Sequence, residues 1–451
     1  MINKPHFIIL ALFVGTSLLT IGCFEEQQPP LIQTEEDIAL ELMAHLNNGT
    51  IAAAFSTLFT SELQNLSTPA QLEEIWEQIT TTYGDFIEIS STRTTEEQGY
   101  TIVYVTCTYT DLGVLDTRVV FDDDLLIAGF QFVPTDVSDQ YQPPDYADTS
   151  LFTEEEILVG AGTEWELPGT LSIPTGDGPY PVVILVHGSG PNDRDETIGP
   201  NKPFNDLAWG LASNGIAVLR YEKRTKEHAT TIVNQLETFT VYDETIDDAI
   251  AAITLCSNYD TIDENAVYIL GHSLGGMLAP RIAPLSSQIK GLIMMAAPAR
   301  PLEDLIHNQI SYLAQLDGEI TEEEQTQIDL IETQVQQIKT LDFEQGEIIM
   351  GAGRAYWEDL ASYDQVQSAQ QFTGPMLFLQ GQRDYQVTYD DDYLTWHEVL
   401  TAQLLVTFHD YEALNHLFLE GSGQPTNEEY NTPGNIPEYV ITDIVAWMNT
   451  D

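Results

Sequence analysis

A serine hydroxyl attacks a carbonyl at neutral pH only when a base takes its proton and a third group holds that base in the right tautomer. The stretch "ILGHSLGGM" at 269–277 offers such a serine. Gly271-His272-Ser273-Leu274-Gly275 fits G-x-S-x-G, in which glycines permit a sharp strand-to-helix turn that leaves the serine oxygen exposed at its apex. A pentapeptide of common residues recurs by chance, so its weight comes from partners elsewhere. After the apolar run "PMLFLQG" at 375–381 comes "QRD", which puts Asp384 in the turn beyond a strand. After "LLVTFH" at 404–409 comes "DYEALNHLF", which puts His416 in a loop before the terminal helix. Ser273, Asp384 and His416 thus follow in the order nucleophile, acid, base, each beyond the end of its own strand, and are the candidate catalytic residues.

Such chemistry passes through a tetrahedral oxyanion that needs two backbone N–H donors. Leu274, immediately after the nucleophile, supplies one. Ser189, in the glycine-rich loop "HGSGPNDRDE" at 187–196, supplies the other, with Gly188 letting the backbone approach the substrate. The alternative reading of that loop is a plain turn. The rival histidines carry less: His409 belongs to a strand, His272 is the variable position of the elbow, and His45, His228, His307 and His397 read as surface or packing residues. Arg194, Arg224 and Arg383 fall in loops at the same edge of the sheet. Ion pairing with Asp193, Asp195, Glu222 and the neighbours of Asp384 is their favoured account, ahead of recognition of a substrate carboxylate, and a pairing of Arg383 with Asp384 itself would keep that acid ionised.

Elements must place these residues. From residue 155 a hairpin, "EEILVGAGTEWELPGTLSIP", is followed by short apolar strands alternating with helical stretches: "PVVILVH", "IAVLRY", "AVYILGH", "GLIMMAA", "PMLFLQG" and "LLVTFH". Continuous apolar strands separated by helices predict a mostly parallel sheet with helices on both faces, an α/β fold. Residues 35–83 read as helices, with Ile38, Leu42 and Leu46 on one face. Residues 85–133 turn to Val-, Ile-, Thr- and aromatic-rich runs punctuated by turns, which predicts an antiparallel sheet. A small α+β domain at 35–134 is expected, then a linker at 135–150 holding prolines and no periodicity, then a second domain at 151–451.

With 71 acidic against 15 basic residues, the 451-residue chain carries a formal charge of −56, which disfavours nucleic acid, so none is expected as a partner, and suits solubility at high salt. Cys107 and Cys256 lie too far apart in different patterns to suggest a disulfide or a metal site, and are read as packing residues. Residues 1–22 hold Lys4 and an apolar run that reads as an export signal rather than a lasting membrane span, followed by a tether at 23–34. Cys23 follows Gly22 as in a lipobox, so lipidation at Cys23 and attachment to the outer face of a membrane are expected; Thr20 departs from that pattern, and an uncleaved anchor is the alternative.

"HGSGPNDRDETIGPNKPFNDLAWGLASNGIAVLRYEKRT", "GHSLGG", "AYWEDL" and "LQGQRDYQV" together resemble the α/β-hydrolase superfamily, in particular exported esterase-like members that carry a small cystatin-like or nuclear-transport-factor-like N-terminal domain. The resemblance implies carboxylic-ester hydrolysis through an acyl-enzyme, with a small-molecule ester as partner and no metal or cofactor. A serine peptidase or acyl-thioesterase would use the same residues, and a non-catalytic binding protein could be built on the same fold. Residues 302–372 interrupt the sheet pattern with Ile328, Ile331, Val335 and Ile338 at helical spacing and a capping box of Thr321 with Glu324. They are expected to form a helical cap, whose Tyr356 and Trp357 are placed either in the acyl pocket or in the core.

Overall fold

The computed structural model describes residues 34–97, 100–110, 113–133, 135 and 140–450. The segment expected as an export signal, Cys23 and nearly all of the expected tether lie outside them. Among the described residues no helix is long and apolar enough to cross a membrane. The chain divides into two compact units, Met1–Asp136 and Val137–Asp451.

In the first unit Thr34 and Thr68 each accept a hydrogen bond from the third residue of the helix they open, and Asp37 and Gln71 return the bond, so Glu35–Asn47 and Pro69–Tyr83 start with complete capping boxes. Two shorter helices, Ile51–Leu58 and Ser61–Leu66, lie between them. The strands β1 (Phe86–Glu97), β2 (Tyr100–Tyr109), β3 (Gly113–Phe121) and β4 (Ile127–Val133) form an antiparallel meander in sequential order. Along β2, Val103, Val105, Cys107 and Tyr109 point inward by the two-residue period and meet Ile38, Leu42 and Leu46 of the first helix.

The second unit is built on eight strands: β5 (Phe152–Val159), β6 (Leu167–Pro174), β7 (Tyr180–Val186), β8 (Ala217–Tyr221), β9 (Ile262–His272), β10 (Ile289–Met295), β11 (Met376–Gly381) and β12 (Val406–Tyr411). Their order is β12-β11-β10-β9-β7-β8-β6-β5. From β8 to β12 every pairing is parallel, and β6 runs against both of its neighbours. One apolar cluster fills each side of this sheet. Val182, Ile184 and Val186 of β7 face one, Val183 and Leu185 the other. A strand buried on both faces has no polar side, and for that reason these strands read as unbroken apolar runs. The last strand starts later than the apolar run suggests: Leu404 is fully exposed and β12 begins at Val406.

Chain order reverses between β7 and β9, because β7 leads outward to β8 on one side while β9 leads to β10 on the other. Ligands of open α/β sheets bind in the crevice outside the carboxyl ends of strands at such a point. Those ends here carry His187-Gly188 and Ser273.

The stretch expected as a linker is only partly one. Tyr141 donates its hydroxyl proton to Asp206 Oδ1 at 2.6 Å, Tyr146 donates to the Ile436 carbonyl at 2.7 Å, and Asn435 donates to the Gln142 carbonyl. Residues 141–150 therefore belong to the body of the second unit. Prolines without periodicity mark irregular backbone, which here is held by tyrosine hydroxyls rather than left free. Burial pushes the Asp206 carboxyl up to about 7.

Candidate active site

The segment 302–372 is helical as expected, with helices at Leu302–Ala314, Glu322–Thr340, Arg354–Ala361 and Gln365–Gln371, and Thr321 caps the second with Glu324. Its aromatic pair does not line a pocket. Trp357 is 1% exposed and donates Nε1–H to the Ile349 carbonyl, and Tyr356 donates to Glu244 Oε2 at 2.6 Å. Both rings sit in the main core cluster. The insertion reaches the residue after Asp384 instead: Tyr312, on Leu302–Ala314, stacks on Tyr385 with ring centroids 5.1 Å apart and 14° between planes. Tyr385, Leu417, Leu419 and Tyr430 form a small apolar cluster to which Ile198, Tyr312 and Leu313 add. Two of these residues directly follow Asp384 and His416 in the chain, a signal that the sequence did contain.

Ser273 has φ 52° and ψ −117°, backbone that a side chain adopts at a cost of about 1–3 kcal/mol and that clusters at functional sites. The flanking glycines make it possible. A Cβ on Gly271 would lie 2.2 Å from the Gly275 carbonyl oxygen, and one on Gly275 would lie 2.2 Å from that of Val186. Strand, turn and helix are thereby pressed together, and the Ser273 N–H donates to the Met295 carbonyl at 2.9 Å.

Asp384 follows β11 and His416 follows β12. His416 Nδ1 lies 2.7 Å from Asp384 Oδ2, with the carboxylate wholly buried. The other oxygen, Oδ1, accepts the backbone N–H groups of Gln386 and Val387 at 2.8 and 2.9 Å, and Gln380 Nε2 donates to Oδ2 at 3.2 Å. The ionised acid is thus fully paired, and an acceptor at Nδ1 leaves Nε2 as the basic nitrogen of neutral His416. The His416 ring lies 4.7 Å from that of His272, which brings it to the elbow.

His272 is not the passive neighbour its position suggests. Its Nε2 donates to the His416 carbonyl at 2.9 Å, and its Nδ1 lies 2.8 Å from Glu196 Oε2, both side chains being buried. Glu196, at φ 52°, accepts the Gly188 N–H on Oε1 at 2.6 Å. One ion pair therefore ties the glycine-rich loop, the elbow and the His416 loop together. Burial alone would push the His272 imidazole down, yet the Glu196 carboxylate holds it above its ordinary value of 6.5. Burial would likewise raise Glu196, and His272 brings it below its ordinary 4.5. A base with a raised folded value contributes its stability below 6.5 and loses it as pH rises through the folded value. An acid with a lowered folded value contributes above 4.5 and loses it as pH falls. Both contributions coincide between pH 4.5 and 6.5. Glu196→Gln, which keeps an acceptor for Gly188, is expected to cost about 2–4 kcal/mol there. Urea unfolding of both proteins should show the difference shrinking on either side of that window; a difference independent of pH would refute the ion pair.

Gly188 was expected to contact substrate, but its N–H is taken by Glu196 and its carbonyl accepts from Lys223 Nζ at 2.6 Å and Asn192 Nδ2 at 3.2 Å. What it offers is closeness, since a Cβ there would come within 3.2 Å of Ser273 Cβ. Ser189 is an exposed residue, and its N–H donates to no described residue. Leu274 opens the helix Leu274–Ile282, so its N–H is among those with no acceptor inside the helix. The arginines pair with carboxylates: Arg194 with Glu156 and Glu222, Arg224 with Asp248, and Arg383 with Glu429 rather than with Asp384.

A mostly parallel sheet with a positive-φ serine at the end of its strand β9 and an acid–histidine couple beyond its last two strands, β11 and β12, defines an α/β-hydrolase. Residues 179–421 match the family described as serine aminopeptidase, S33, and residues 39–130 match a family described as a protein of unknown function, DUF3887. Esterase EstD of Thermotoga maritima is 36% identical over 443 residues, covering 98% of each chain. The chain belongs to this family of α/β-hydrolases. Similar solved structures include the esterase of the archaeon Pyrobaculum calidifontis (TM-score 0.45, 16% identity, 70% of this chain and 88% of that one). Est1E of Butyrivibrio proteoclasticus is another (TM-score 0.41, 14% identity, 66% and 99%).

Proposed function

We propose that this carboxylic-ester hydrolase acts through an acyl-enzyme on Ser273. His416 Nε2 takes the Ser273 proton as Oγ attacks the ester carbonyl, and the oxyanion so formed receives the N–H groups of Ser189 and Leu274. His416, now an imidazolium stabilised by Asp384, returns the proton to the leaving alkoxide. Water, deprotonated by His416, then attacks the acyl-enzyme and frees the acid and Ser273. The observation that carries this reading is the 2.7 Å contact between buried Asp384 and His416 beside a serine held at positive φ. The apolar cluster of Tyr385, Leu417 and Tyr312 flanks the couple and suits an apolar substituent of the ester.

A second reading, amide cleavage, is favoured by the aminopeptidase family matched by residues 179–421. It asks more of the same residues, since an amine leaves only after protonation by the imidazolium. A panel of p-nitrophenyl esters, aminoacyl-p-nitroanilides and acyl-thioesters separates the readings. The expected result is a kcat/KM for short-chain esters at least about 100-fold above that for any anilide or thioester, roughly 2.7 kcal/mol in transition-state stabilisation. A higher kcat/KM for an anilide would make the protein a peptidase.

A further inference from the structure

Lys223 is 2% exposed and Glu244 6%, an unusual depth for either charge. Lys223 Nζ lies 2.6 Å from Glu244 Oε1, and Tyr356 donates to the remaining oxygen, Oε2, at 2.6 Å. A buried ion pair contributes little net stability compared with apolar residues of the same volume, so stability alone is a poor account of this one. Its other contact is more informative. Lys223 Nζ also donates to the Gly188 carbonyl at 2.6 Å, and that carbonyl belongs to the peptide whose N–H is that of Ser189.

We infer that Lys223 is the positioning residue of the oxyanion loop, acting on the Ser189 donor through the Gly188–Ser189 peptide. The inference rests on the acyl-enzyme reading above, with Ser189 as one donor. Among the described residues the only cis peptide is Gly178–Pro179, so the Gly188–Ser189 unit is trans, planar, and directs its C=O and N–H to opposite sides. An ammonium on the oxygen therefore turns the Ser189 N–H away from Lys223 and leaves it open. The same contact polarises the amide, and a donor whose own carbonyl is hydrogen-bonded is the stronger for it. Glu196 holds the preceding N–H of Gly188, so this glycine is gripped by buried opposite charges on both of its peptides, 3.2 Å from Ser273 by the Cβ measure. Glu244, itself bonded by Tyr356, holds the ammonium in place. Tyr356 thereby couples the inserted helices to the loop, although it lines no pocket.

The test compares wild type with Lys223→Met and with Lys223→Met/Glu244→Gln, the double variant leaving no orphaned buried charge if the single one fails to fold. For a p-nitrophenyl ester, kcat is expected to fall about 30- to 100-fold with KM within about threefold, less than the loss from deleting a donor because the Ser189 N–H remains. Affinity for an aryl trifluoromethyl ketone, whose adduct with Ser273 carries the oxyanion, should fall by the same factor. A merely structural role would not link these two numbers. A folded double variant with kcat within about threefold of wild type, or a fall in kcat without matching loss of ketone affinity, overturns the inference. Ser273→Ala in parallel separates the failures: inactive beside a fully active double variant, it overturns the role of Lys223 alone; active, it overturns the acyl-enzyme reading as well.

Discussion

Ser273→Ala should lower kcat/KM for ester hydrolysis by about five to six orders of magnitude, some 7–8 kcal/mol, while the thermal midpoint stays within about 2 °C of wild type. The first half follows from the loss of the atom that, in the proposed mechanism, forms the acyl-enzyme. The second follows from what Ser273 does in the fold. Its Oγ makes no hydrogen bond with any described residue, and its structural work is done by the backbone, through N–H donation to Met295 and acceptance from Met277 N at 2.9 Å. Alanine keeps both, and keeps the Cβ, so the strain of φ 52° is unchanged. Turnover of p-nitrophenyl esters, thermal unfolding and labelling by a fluorophosphonate probe check the expectation together. An alanine variant that retains more than about 1% of activity, or a probe attached elsewhere, would sink the assignment.

Asp384→Asn should reduce kcat about 10⁴-fold with KM nearly unchanged, because it reverses the tautomer of His416 without moving it. An asparagine at this site has two orientations. With its NH₂ toward Gln386 and Val387 it would oppose two N–H donors and forfeit two hydrogen bonds; with its oxygen there, it opposes only the Gln380 amide, 3.2 Å from the other position. The second orientation loses less, and it points an N–H donor at His416 Nδ1. That nitrogen must then accept, the ring proton moves to Nε2, and Nε2 can no longer take the proton of Ser273. The expected record is a folded protein with wild-type KM and a collapsed kcat. A kcat within about tenfold of wild type would show that Asp384 does not orient the base.

The division between what was readable in the chain and what was not follows the range of the forces involved. The two units, the meander, the mostly parallel sheet and the capping box of Thr321 with Glu324 are set by periodicities of two to four residues, which are written into any short window of sequence. The order of Ser273, Asp384 and His416 was legible for the same reason, since each stands just past an apolar strand and a parallel sheet brings all such ends to one edge. Partner choice was not legible. With acidic residues in large excess, every arginine and lysine has many possible partners, and only packing decides that Arg383 meets Glu429, that Tyr356 turns to Glu244 instead of a pocket, and that Tyr141 fastens a proline-bearing segment to Asp206. His272 shows the limit most clearly. The sequence by itself determined that some residue must stand between Gly271 and Ser273, and a histidine there is compatible with the turn. Only the tertiary structure, by folding Glu196 and the His416 carbonyl onto its two ring nitrogens from residues 76 and 144 positions away, made it the joint of three loops, because burial leaves a charged ring no water and so makes its partners obligatory.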